Sequence, residues 1–133
     1  MRKLLLLLCL FLFIVPQIFA QNKISSLEFV QILDGNKAEA LYYYQNNWKV
    51  LREMAIEKDY IHSYQLLEVE ATEDAPFHII LITNYSNEEE YEKREEHFTE
   101  LIEAKGELRL MNEKKPGEFR RRYFGKDKAI NLH

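Results

Sequence analysis

Cysteine is nearly missing from this 133-residue chain: the single one, Cys9, lies inside the apolar run from Leu4 to Val15. The sequence after that run has no disulfide, no C-x-x-C pair and no thiol nucleophile, so a domain built from it holds together by packing. Glycine is sparse as well. The four glycines stand apart at 35, 106, 117 and 125, which excludes a glycine-rich phosphate loop and a G-x-S-x-G nucleophile turn. The four histidines, His62, His78, His97 and His133, show no metal-ligand spacing, so no metal site is expected. Basic residues are outnumbered by acidic ones, 18 to 22, a poor balance for binding nucleic acid or an anionic membrane. The one long apolar run, about twelve residues, is short of the roughly 20 that a membrane-spanning helix needs.

That run has the form of an export signal. Arg2 and Lys3 make a basic n-region, Leu4 to Val15 an apolar h-region, and Pro16 to Ala20 a short exit ending in a small residue. Residues 1–20 are thus expected to be a signal peptide cleaved after Ala20, and residues 21–133 a single domain, exported to the periplasm or secreted, with no membrane attachment. Leu8 before Cys9, and the apolar run continuing beyond it, argue against lipid attachment there. Without the signal peptide, 16 basic residues face 22 acidic ones, a net charge of −6.

Within the exported part, Leu27 to Leu33 reads as a first strand, broken by Asp34-Gly35-Asn36. Asn36 and Glu39 have capping-box spacing, and Leu41, Tyr44, Trp48, Leu51 and Ala55 recur every three or four residues, which predicts an amphipathic helix over Lys37 to Lys58. Ile61 to Glu70 and Phe77 to Tyr85 read as antiparallel neighbours joined by a short turn near Thr72 to Asp74. Ser86 with Glu89 predicts a second capped helix, from Asn87 to about Lys105, ended by Gly106. Leu108 to Met111 is ambiguous, Glu118 to Phe124 predicts a fourth strand, and Lys126 to His133 reads as a tail.

The order βαββαβ is that of a ferredoxin-like α+β fold, with a four-stranded antiparallel sheet and two helices on one face. The first and third strands are then central. Two helices cover one sheet face only, yet the third strand carries Phe77, Ile79 and Leu81 toward one side and Ile80 and Ile82, with His78, toward the other. An uncovered apolar face predicts a homodimer with sheets packed face to face.

From Leu27 to Phe124 the chain resembles the dimeric α/β-barrel superfamily, including antibiotic-biosynthesis-monooxygenase, stress-responsive-barrel and NIPSNAP-type domains. The stretch ALYYYQNNWKVLREMA, the strand from Tyr60 to Leu67 and PGEFRRRYFG are also similar to a set of small bacterial exported proteins. Element order, element lengths and the two-sided third strand carry the resemblance. It implies a cavity between helices and sheet in each protomer, with functions ranging from cofactor-free oxygenation and haem breakdown to no catalysis. The haem-degrading pattern needs an Asn on the first strand, a Trp on the third and a His on the second helix. Here Gln31 stands on the first strand, the third has no Trp, and only His97 matches by location, so no cofactor is expected.

Tyr44 and Trp48 lie one turn apart on the stripe facing the sheet, where they line an aromatic pocket or simply pack the core. His62 and Tyr64, on one face of the second strand, are the next candidates for that pocket. For proton transfer the candidates are His62, Tyr64 and His78, the last paired with Glu68 either as an oriented base or as a cross-strand polar pair. Arg120, Arg121 and Arg122 suit phosphate or carboxylate recognition, or pair with nearby Glu residues and discourage edge-to-edge aggregation. Three functions remain open: a homodimeric domain binding a small apolar or aromatic molecule, a cofactor-free oxygenase or cyclase-like enzyme, or a structural domain without ligand.

Overall fold

The computed structural model describes residues 22–132. The expected signal peptide, Cys9 and His133 lie outside the described residues. Strand β1 (Ile24–Ile32) leads into a long helical segment made of α1 (Lys37–Tyr43), a π-helical turn (Tyr44–Trp48) and α2 (Lys49–Glu57). Strands β2 (Ser63–Glu68) and β3 (Ile79–Tyr85) follow, then α3 (Glu88–Glu92), α4 (Arg94–Lys105), the short turn α5 (Pro116–Phe119) and β4 (Arg120–Ile130).

The strands form one four-stranded antiparallel sheet in the order β2-β3-β1-β4, which puts β1 and β3 in the middle and leaves β2 and β4 as edges. This α+β architecture is compatible with the ferredoxin-like arrangement expected from the sequence. Alternation along β3 is strict: Ile79, Leu81, Thr83 and Tyr85 are buried, and Ile80, Ile82 and Asn84 between them are half-buried. The buried set meets both helical segments. Val30, Ile32, Ile79 and Leu81 pack with Ala40, Tyr44 and Phe119 in one cluster, while Ile24 and Tyr85 pack with Ala55, Ile61, Tyr91 and Leu101 in a second. Both helical layers therefore lie on one side of the sheet, because inward side chains recur every second strand residue and every third or fourth helix residue.

Several local expectations are corrected. Phe77 and His78 lie ahead of β3 rather than in it, and Phe77 packs edge-on against Phe29, 4.8 Å between centroids, on the face away from the helices. An irregular residue before a strand suffices for this, since one step of register moves every side chain to the other face. Asn36 precedes α1 but its side chain makes no cap; it donates to the Glu118 carbonyl at 3.3 Å and accepts from Lys114 Nζ at 2.6 Å. The second helix is capped by Asn87, whose Oδ1 accepts from the Glu90 N–H at 2.9 Å, and not by Ser86. That helix also breaks at Lys93 into α3 and α4. Gly106 ends α4 with φ at 82°, a left-handed value that favours glycine. β4 runs on to Ile130, so most of the expected tail is a strand edge paired with β1.

Candidate functional site

The π-helical turn has an identifiable cause. Asn46 Nδ2 donates to the Tyr42 carbonyl and Asn47 Nδ2 to the Tyr43 carbonyl, each at 2.9 Å. Side-chain amides thus occupy two carbonyls that backbone N–H groups four residues on would otherwise take, and the backbone widens to the π pattern. Asn47, only 3% exposed, has all its bonding capacity used: Nδ2 also reaches the Arg109 carbonyl at 2.7 Å, and Oδ1 accepts from Lys105 Nζ and the Arg109 N–H, both at 2.8 Å. One amide therefore ties the π turn to the end of α4 and the segment after it.

Beneath this clamp lies a cavity of about 390 Å³ between the π turn, the sheet and the end of α4. Val30 and Leu81 form its sheet side, Tyr43, Tyr44, Trp48 and Leu51 its helix side, and Ile102 and Leu108 its outer rim. The polar part of the lining is Glu28, Asn47, Lys105, Arg120 and Arg122. The size is at the small end of the range of ligand pockets, which run from roughly 300 to 1,000 Å³.

Each polar group is held in a specific way. Glu28 sits on the helix side of β1, opposite Leu81 on β3 and Gly125 on β4. The Arg122 guanidinium lies across Gly125, where a Cβ would meet its Nη2 at 2.0 Å, and its Nε comes within 3.9 Å of Glu28 Oε1. Arg120 lies 5.2 Å from the Tyr43 ring centroid and donates to the Tyr43 hydroxyl at 3.4 Å. Its Nε is buried and has no hydrogen-bond partner among the described residues. Burial raises the Tyr44 phenol well above its ordinary value, with Arg120 opposing, so Tyr44 is neutral at physiological pH. Lys105 is pushed down, chiefly by burial and next by Arg109.

Two of the four residues expected at a ligand pocket, Tyr44 and Trp48, line this cavity together. Tyr64 meets the Trp48 ring edge-on at 5.7 Å but from the far side: it lines a separate depression with Leu41 and Lys49, and its hydroxyl donates to Glu53 at 3.1 Å. His62 is exposed and precedes β2 rather than lying in it, its backbone N–H on the Asn84 carbonyl. His78 is held in the sheet framework, its Nδ1 accepting the Ile32 N–H at 3.0 Å. Glu68 does not turn to it and pairs with Lys37 instead. No cluster of three or more potential metal ligands occurs among the described residues. Asn47, Glu28 and Lys105 escaped the sequence reading. The available signal was Asn46-Asn47 in mid-helix, where asparagine is a weak helix former.

No family profile, curated protein or solved structure matches the chain.

Proposed function

We propose that this chain is an exported, homodimeric small-molecule-binding domain of the ferredoxin-like, dimeric α/β-barrel kind. The observation that carries the reading is the cavity of about 390 Å³ beside Tyr44 and Trp48, a cleft with mainly apolar and aromatic walls on which a few polar groups converge. Its apolar and aromatic walls suit an apolar or aromatic ligand, and its few polar groups suit orienting one. Binding is favoured over catalysis because His62, Tyr64 and His78 all stand outside the cavity lining. No helix among the described residues is long and apolar enough to cross a membrane.

The dimer reading rests on the sheet face away from the helices. Leu27 and Phe29 on β1, Ile80 and Ile82 on β3, Leu67 on β2 and Phe124 on β4 share it, with Leu67 39% and Phe124 47% exposed. Phe29 also packs on Phe77 and Phe124, so the middle of that face is an aromatic cluster. Such a surface is covered most simply by a second copy through a two-fold axis. Trp48 is the only tryptophan in the chain, so its fluorescence reports the cavity directly. A saturable change in that emission on titrating aromatic and medium-chain molecules supports the binding reading, and no change with any of them, together with no heat of binding, overturns it.

A further inference from the structure

The polar lining of the cavity is lopsided in charge. Lys105, Arg120 and Arg122 face it against the single carboxylate of Glu28, in a chain whose net charge is −4. The local sign is opposite to that of the whole molecule. Glu28 and Arg122 approach each other to 3.9 Å, which leaves Lys105 and Arg120 without a carboxylate in the lining to balance them. Lys105 is bound to neutral acceptors only, Asn47 Oδ1 and the Glu107 carbonyl. Arg120 leans on Tyr43 with one N–H, while its Nε is buried without a partner.

A buried guanidinium N–H without an acceptor is costly; because Arg120 Nε has almost no accessible surface, a ligand in the cavity meets this side chain through its other N–H groups. The planar fork of arginine matches a carboxylate in two parallel hydrogen bonds. Next to it, Tyr44 is a neutral phenol, and Val30, Leu81 and Trp48 offer apolar surface. Resting on the binding-domain reading above, we propose that the cavity selects an organic carboxylate with an apolar or aromatic body, its carboxylate on Arg120 and Lys105 and its body against Trp48 and Tyr44.

The test pairs each acid with a neutral isostere: 2-naphthoate with 2-naphthamide, and decanoate with decanamide, titrated into the purified protein and followed by Trp48 emission and calorimetry. The acid is expected to bind at least about tenfold more tightly than its amide, and Arg120→Gln to weaken the acid more than the amide, so that most of that preference is lost. Lys105→Met, which leaves the β4 strand untouched, is expected to weaken the acid in the same direction should Arg120→Gln fail to fold. Acid and amide binding equally overturns the carboxylate assignment and leaves the binding-domain reading intact. If neither acid nor amide binds, both fall. Tighter binding of 2-naphthyl phosphate than of 2-naphthoate also overturns the assignment.

Discussion

The Arg52 guanidinium carbon lies 4.3 Å from the ring centroid of Trp48 and the same distance from that of Phe98, so a cation is held between two aromatic rings, one from each helical layer. Its Nε donates to Thr83 Oγ1 on β3 at 3.1 Å, which joins helix, helix and sheet through one side chain. Burial pushes this guanidinium down to about 10, leaving it protonated at neutral pH. Arg52→Ala is expected to cost about 2 to 3 kcal/mol, from two cation–π contacts, a hydrogen bond and the packing of the aliphatic stem. Urea unfolding measures it, and a loss below about 0.5 kcal/mol, the scale of a surface substitution, would contradict this role.

Asn47→Ala removes four hydrogen bonds at once and leaves the Arg109 N–H, the Arg109 carbonyl and Lys105 Nζ to find other partners. A loss of about 2 to 4 kcal/mol is expected, with faster amide hydrogen exchange at Arg109. Asn47→Asp keeps the two acceptor contacts and loses both donor contacts, so it should fall between wild type and Asn47→Ala. An unchanged exchange rate at Arg109 in Asn47→Ala would show that the clamp does not hold the segment after α4.

Phe29→Glu places a carboxylate in the aromatic cluster on the sheet face away from the helices. Sedimentation should show a dimer for the wild type and a monomer for this variant at micromolar concentration, since burying an unpaired charge at an apolar interface is strongly unfavourable. A wild-type monomer under those conditions would remove the face-to-face dimer.

The surface ion pairs add a small pH dependence at both ends of the range. Glu100 accepts from Lys58 Nζ and from the Tyr60 hydroxyl at 2.7 Å, and these bonds hold its carboxyl below the ordinary 4.5; Lys93 does the same for Glu89. A carboxyl depressed in the folded state stabilises it above pH 4.5, and that share is lost as pH falls through the folded value. Lys58, Lys93 and Lys128 are raised above 10.5, so their share is present below that pH and is lost as pH rises through their folded values. All are exposed, so the effects are small and shrink in salt. Melting temperature against pH should show a flat middle with both limbs falling, and Glu100→Gln should flatten part of the acid limb; an identical acid limb in that variant contradicts the assignment.

Element order was legible in the sequence because periodicity survives tertiary context: the stripe from Leu41 to Ala55 and the apolar run from Ile79 to Ile82 each announce their element. Trp48 and Tyr44 were legible at the cavity for the same reason. The rest depended on partners far away in the chain. Asn47 reads as a poor helix residue until Arg109 and Lys105 arrive, 62 and 58 positions later. Arg122 reads as an edge-strand charge until the β1–β4 register, with its two irregularities, sets it opposite Val30, and nothing in the local sequence marks Glu28 until Arg122 comes near it. Asn36 spends its side chain on Glu118 and Lys114, which no local capping rule foresees.

The central claim is that the space below the π turn is a ligand site. The most direct measurement is a crystal structure of the protein soaked in 2-naphthoate. The account predicts density for the naphthyl ring between Tyr44 and Trp48 with the carboxylate on Arg120. A cavity closed by inward movement of Trp48 or Leu51, with no density there at saturating acid, would contradict it.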